Sequence, residues 1–144
     1  MSDSYGRPVS VPGASAHVPV LRLGDVLLVT LQGDLYDSVA QQLQEDIGAT
    51  IATSGVTGVV IDISGMEVVD SYLGRVLAEI AAQSSLLAAR TVVAGMRPAV
   101  AITLVELGLT LPGLRTALNA EAAMDLLART GSGSRFRRSS AEHP

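Results

Sequence analysis

The sequence predicts an α/β fold: a mainly parallel sheet of four to five strands with one antiparallel strand at its edge, and about four helices. Two observations lead to this prediction. Short β-branched runs alternate with longer segments of helical period, which is the pattern of parallel strands joined by right-handed crossovers. Near the start, Gly24-Asp25 separates two short apolar runs and indicates a hairpin, so that the first strand is antiparallel to the second.

The hairpin and the first helix occupy the first part of the chain. Strands are predicted over Val18–Leu23 and Val26–Leu31. Asp37 or Ser38 is a suitable N-cap for the helix that follows, which runs to about Thr53. The side of this helix that faces the core is predicted from its apolar residues at helical spacing, Val39, Leu43, Ile47 and Ile51.

Strands and helices alternate through the rest of the chain. Val59–Ile63 and Thr91–Ala94 are short apolar runs, which fit strands buried on both faces. A helix from about Tyr72 to Ala89 lies between them, and Pro98 opens a third helix that ends at Gly108. The last predicted elements are an edge strand and a helix, Leu114–Leu118 and Glu121–Arg129. The inner stripe of the second helix is predicted to be Leu73, Val76, Leu77, Ile80, Ala81, Ser84 and Leu87.

The composition suits one domain without a membrane segment. Of the 144 residues 48% are apolar, which is enough for a core of ordinary size. Residues 1–17 and 131–144 have no apolar period and are predicted to be a flexible lead-in and a disordered tail, with the folded domain over 18–130. There is no secretory signal, no apolar run long enough to cross a bilayer and no cysteine, so a cytoplasmic protein is expected.

Charge and motifs argue against nucleic-acid binding and catalysis. The net charge is −4 and there is no lysine, so no basic surface for nucleic acid is expected. His17 and His143 lie in the predicted flexible ends, where a catalytic or metal-bound histidine would lack support. Phosphate-binding loops and nucleophile elbows are missing, and so is the lysine of a receiver-type site around Asp62 or Asp70. We therefore expect no enzyme activity, no cofactor and no metal.

The pair Asp70-Ser71 is the most informative feature of the sequence, because it stands where the second helix begins. Either residue can simply cap the helix. A phosphate on Ser71 would, however, meet free backbone N–H groups and the positive end of the helix dipole. It would add about −1.5 to −2 charges to the surface. Gly74, one turn later, is explained equally well by close approach of a partner or by small-residue packing.

Two stretches of the chain carry a family resemblance. Val59–Ile63 followed by Val69–Leu73 resembles the pattern of STAS domains in anti-sigma-factor antagonists, in which an Asp-Ser or Asp-Thr pair opens a helix after a buried strand. Ala94–Gly108 is similar to the stressosome branch, and within it to the RsbS-type scaffold antagonists. The resemblance covers residues 18 to about 127 and implies the STAS fold.

The resemblance also implies a mechanism and a set of partners. Ser71 would be phosphorylated by an RsbT-type serine/threonine switch kinase that the scaffold holds and then releases, and a phosphatase would reset it. A longer RsbR-type STAS paralogue would co-assemble with the chain into a large particle, or the chain would self-associate. Asp70, Tyr72, Gly74 and Arg75 are the expected contacts with the kinase.

Two other functions remain open at this point. One is a small anti-anti-sigma factor that binds an anti-sigma kinase as a monomer or dimer, which a sizing column would separate from a large particle. The other is a ligand-sensing STAS domain, which a thermal-shift screen with nucleotides would detect.

Overall fold

The computed structural model describes residues 18–33, 35–66, 70–108 and 114–129. The predicted flexible ends, 1–17 and 131–144, lie outside these residues. The described elements, in chain order, are β1 (Val20–Leu23), β2 (Val26–Gln32), α1 (Asp37–Ser54), β3 (Gly58–Gly65), α2 (Ser71–Leu86), β4 (Arg90–Ala94), α3 (Pro98–Glu106), β5 (Leu114–Ala117) and α4 (120–129).

A single five-stranded sheet with the order β1-β2-β3-β4-β5 organises these elements. β1 is antiparallel to β2, and every later pair is parallel. The antiparallel pair is joined by the two-residue turn at Gly24-Asp25, where Gly24 has a φ of 62°. The α/β architecture, its mainly parallel sheet and its antiparallel edge strand are therefore confirmed.

The two faces of the sheet are covered differently. Because β2 to β5 follow one another in space, right-handed crossovers place α1, α2 and α3 on the same face. On that face Val29, Ile61 and Val93 pack with buried residues of the three helices. On the other face Val60 and Val92 pack against Ala123 and Leu127 of α4. β3 is thus buried on both sides, as its apolar run predicts.

The boundaries of two helices differ from the prediction. The N-cap of α1 is Tyr36, whose backbone is extended and whose side chain makes no capping hydrogen bond, whereas Asp37 or Ser38 was expected to cap. Helix α2 ends at Leu86 rather than near Ala89, and Leu87 is 39% exposed instead of belonging to the inner stripe. The chain turns there because Ala88 has a φ of 65°, in the left-handed region that glycine usually occupies.

Candidate functional site

The first turn of α2 lies at the carboxyl-terminal edge of the sheet. β3 ends at Gly65, and α2 starts at Ser71 after a short connection. In open α/β sheets this edge is where binding sites are most often found, because the connections from several parallel strands meet there. The described residues that meet at this edge are the ends of β2, β3 and β4 and the starts of α1, α2 and α3.

Asp70 is the residue that caps α2. Its backbone is extended, with φ −136° and ψ −177°, and its Oδ1 accepts a hydrogen bond from the N–H of Leu73 at 3.1 Å. The carbonyl of Asp70 also accepts from the N–H of Gly74 at 3.4 Å. Ser71 is the first residue of the helix, and its side chain is exposed. The capping role therefore belongs to Asp70, which leaves the Ser71 hydroxyl accessible at the positive end of the helix dipole.

Tyr72 and Arg75 form a contact beside Ser71. The guanidinium carbon of exposed Arg75 lies 5.8 Å from the centroid of the Tyr72 ring, a cation–π distance. Tyr72 is half-buried, and burial raises the pKa of its phenol, as do a hydrogen bond to the Asp37 side chain and the charges of Asp37 and Glu79, whereas Arg75 opposes them. Asp37 is the first residue of α1, so the starts of the two helices lie near each other at this phenol.

Gly74 lies on the buried side of α2, among the residues that face the core. Of the five residues expected at the site, Asp70, Ser71 and Arg75 are exposed and Tyr72 is half-buried. Four neighbouring residues thus form an accessible surface at the start of α2, and Gly74 is not part of it. Small-residue packing, the other explanation of Gly74, fits its position.

The connection after β4 packs closely against the end of β3. Asp62 Oδ1 accepts hydrogen bonds from the Ser64 N–H at 3.0 Å and from the Ser64 hydroxyl at 2.7 Å. Gly95 has a φ of 76°, and a Cβ at this position would lie 2.8 Å from Ser64 Cβ and 3.2 Å from Asp62 Oδ1. Asp62 therefore has a structural role within β3, and only glycine allows this close approach of the connection after β4 to β3.

Arg97 is a site residue that the sequence did not reveal. Its guanidinium donates to the carbonyl of Met66, the last described residue before the connection that leads to Asp70. Arg97 is also the N-cap of α3, so it ties the start of that helix to the connection before α2. Its contact joins residues 31 positions apart, and no local pattern signals it.

The part of the chain that the structure describes has neither a cluster of metal-binding side chains nor a membrane-spanning helix. Within this part, no group of three or more His, Cys, Asp or Glu residues is placed so that it could hold a metal ion. None of the helices described is long and apolar enough to span a bilayer. The chemistry visible at the edge of the sheet is thus an exposed hydroxyl at a helix start, next to one guanidinium and one phenol.

Comparison with known proteins identifies the family. The family model described as STAS domain matches residues 17–121. The chain belongs to the STAS-domain family. This confirms the fold and the family expected from the sequence, and the five-stranded sheet with its antiparallel edge is a STAS sheet.

Stressosome proteins are among those similar to this STAS domain. A serine-to-glutamate variant of RsbS from Moorella thermoacetica is 41% identical, with a TM-score of 0.72, over 80% of this chain and 97% of that one. A chain from a structure of the stressosome, described as a signal integration and transduction hub, is 42% identical, with a TM-score of 0.70, over 78% of this chain and 98% of that one. The resemblance to RsbS expected from the sequence is confirmed.

A curated relative is considerably longer. The RsbT co-antagonist protein RsbRC of Bacillus subtilis is 34% identical over 114 residues, which are 78% of this chain and 40% of the relative. The STAS domain described here thus spans less than half the length of that relative.

Proposed function

We propose that this STAS domain is a non-enzymatic stressosome scaffold that holds a serine/threonine switch kinase of the RsbT type and releases it when Ser71 is phosphorylated. The observation that carries the proposal is the division of roles at the start of α2. Asp70 caps the helix, so Ser71 is exposed and its modification removes no capping bond. The kinase would transfer the γ-phosphoryl group of ATP to Ser71 Oγ, which loses its proton, and ADP would leave.

The phosphate would act mainly on binding rather than on folding. It would be accommodated by the fold because the N–H groups and dipole of α2 favour an anion at this position. A kinase docked over Asp70, Tyr72 and Arg75 would meet about −1.5 to −2 new charges at its interface. An uncompensated charge at a contact costs several kcal/mol. Phosphorylation of one exposed serine is therefore sufficient to release the partner.

The similar proteins support the choice of partners. The curated relative is by name a co-antagonist of RsbT, and it is longer than this chain, as a paralogue of the RsbR type would be. The RsbS structure carries a glutamate in place of a serine, a substitution that adds a negative charge. We propose a kinase of the RsbT type, a longer RsbR-type STAS paralogue and a phosphatase that resets Ser71, all acting in the cytoplasm.

Exposed apolar side chains support assembly with this paralogue or with further copies of the chain. On α3, Ile102 is 57% and Val105 is 73% exposed, and on the edge strand β1 Leu21 is 56% exposed. Such side chains gain stabilisation when an interface removes them from water. These three side chains belong to α3 and β1 rather than to α2, so an interface that they form need not include the first turn of α2.

Phosphorylation of Ser71 is tested directly with the purified kinase. The complex of the chain with the kinase is incubated with ATP, the modified residue is mapped, and retention of the kinase is followed by gel filtration. We expect phosphate on Ser71 and loss of the kinase from the complex. Ser71→Ala should keep the kinase and accept no phosphate, whereas Ser71→Asp should bind it more weakly with nearly unchanged melting temperature.

Ser85→Ala is a matched control, since Ser85 is an exposed serine of the same helix, at its other end. This variant should be phosphorylated and should release the kinase like the parent. Phosphate found only at other residues, or a Ser71→Asp variant that binds the kinase as tightly as the parent, contradicts the proposal.

A further inference from the structure

Arg75 is placed to reach Ser71. It is the only basic residue in the sequence of α2 and follows Ser71 by four positions, so both lie on the same side of the helix. Side chains of an α-helix lean toward its N-terminus and cover the preceding turn. The contact of Arg75 with the Tyr72 ring, three positions earlier, shows this direction. The Arg75 guanidinium therefore already lies over the turn that contains Ser71.

Negative charge dominates the surroundings of this turn. Three carboxylates lie near it: Asp37 of α1, Asp70 just before Ser71, and Glu79 further along α2. A second guanidinium, that of Arg97, is bound to the carbonyl of Met66. A phosphate on Ser71 would add a dianion to three carboxylates. The Arg75 guanidinium is exposed and, among the described residues, contacts the face of the Tyr72 ring, so it is the cation most available to balance the phosphate.

The Tyr72 ring and a phosphate differ strongly as partners for Arg75. The ring offers its quadrupole, whereas a phosphate offers full charge and oxygens that two guanidinium N–H groups can bind together. Because Arg75 is exposed, changing partner requires only rotation of its own side chain.

We propose that Arg75 is the phosphate-binding residue of this site: when Ser71 is phosphorylated, the Arg75 guanidinium leaves the Tyr72 ring and pairs with the phosphate. The inference rests on the proposed modification of Ser71. Phosphorylation would then change the surface in two ways, since the cation of Arg75 is neutralised by the phosphate and the face of the Tyr72 ring is uncovered. A kinase that recognises Arg75 stacked on Tyr72 would lose that feature together with gaining a repulsive charge.

The test installs phosphoserine at position 71 during translation, so that no kinase is needed. The second pKa of the phosphate is measured by phosphorus NMR titration in the full chain, in Arg75→Gln and in the control Arg90→Gln. Arg90 is exposed at the start of β4, at the opposite edge of the sheet. Loss of a paired cation should raise the phosphate pKa by several tenths of a unit in Arg75→Gln, and Arg90→Gln should leave it unchanged.

Proton NMR of the Arg75 and Tyr72 side chains tests the change of partner directly. In the phosphorylated parent, the Nε–H proton resonance of Arg75 should move away from its position in the unmodified chain, and the Tyr72 ring resonances should move with it. The same titration is made in Arg97→Gln, because Arg97 is the other guanidinium at this edge. Equal phosphate pKa values in the parent and Arg75→Gln, or a phosphate pKa that rises in Arg97→Gln and not in Arg75→Gln, overturn the inference. Failure of the kinase to phosphorylate Ser71 would instead contradict the proposed function, and the titration would still report on Arg75.

Discussion

The two edges of the sheet are held together by different kinds of contact. At the amino-terminal edge, backbone groups join the connections: the carbonyl of Asp25 accepts from the N–H of Thr57 at 2.9 Å, and the carbonyl of Thr57 accepts from the N–H of Arg90 at 3.0 Å. At the carboxyl-terminal edge, side chains take part. Asp70 caps α2, and Arg97 binds the carbonyl of Met66.

This difference indicates which edge depends on residue identity. Backbone hydrogen bonds can be formed by almost any sequence, so these contacts at the amino-terminal edge do not depend on residue identity. A side chain adds to them there, since the exposed Arg22 guanidinium donates to the carbonyls of Gly24 at 2.9 Å and Ser54 at 3.3 Å. The carboxyl-terminal edge uses a particular carboxylate, a particular guanidinium and a glycine to hold the start of α2. Substitutions at this edge should therefore have effects that matched substitutions elsewhere do not have.

The largest effect is expected for Gly95→Ala at the carboxyl-terminal edge. The new Cβ would combine an unfavourable φ of 76° with an approach of 2.8 Å to Ser64 Cβ. We expect the free energy of unfolding in urea to fall by roughly 2 to 4 kcal/mol.

Gly55→Ala is the matched control for this substitution. Gly55, which follows α1, has a φ of 72°, but nothing lies within 4 Å of its Cβ position. It should lose only about 1 kcal/mol, the cost of the backbone conformation alone. Equal losses in the two variants would show that the close approach at Gly95 contributes nothing.

A gain of stability is expected at the opposite edge from Ala88→Gly. The turn after α2 has the hydrogen bonds of a Schellman motif, from the Ala89 N–H to the Ser84 carbonyl at 2.8 Å and from the Ala88 N–H to the Ser85 carbonyl at 3.0 Å. The residue in the left-handed position is Ala88, with a φ of 65°. Glycine there should raise the free energy of unfolding by about 0.5 to 1 kcal/mol.

Ala88→Gly should change stability without changing kinase binding. Because Ala88 lies at the far end of α2 from Ser71, Ala88→Gly should bind the kinase as the parent does. A loss of stability in Ala88→Gly would show that the turn is held in its conformation by contacts that alanine makes and glycine cannot.

The succession of strands and helices along the chain was predictable because local signals specify it. The β-branched run of β3, the Gly24-Asp25 turn and Pro98 at the start of α3 each act within a few residues. Gly108, with a φ of 75°, follows α3 where the sequence placed it. Local chemistry and the final fold agree at these points, so the sequence alone predicts them.

The errors arose where tertiary position overrides local preference. Asp37 is a residue type that favours the N-cap position, but α1 begins one residue earlier than that requires: Asp37 is already the first helical residue and Tyr36 occupies the cap position. The end of α2 could not be located because alanine, at Ala88, adopts a conformation typical of glycine. In the site, the adjacent residues Asp70 and Ser71 could be predicted as a helix start from the sequence. Arg97 could not be predicted, because it contacts Met66 only when β3 and β4 lie side by side in the folded sheet.

The smallest effect on stability is expected for Ser71→Ala, and comparison with Asp70 variants separates two adjacent residues that the sequence could not rank as caps. Asp70→Ala removes the acceptor for the Leu73 N–H and should lower the free energy of unfolding by about 1 kcal/mol, while Asp70→Asn, which keeps an acceptor, should lose less. Ser71→Ala should change it by less than about 0.5 kcal/mol, because the side chain is exposed at the first helical position. Urea denaturation of the three variants measures this. Equal losses for Asp70→Ala and Ser71→Ala would mean that Ser71 shares the capping role, and a phosphate on it would then disturb the helix that the proposed switch requires to stay folded.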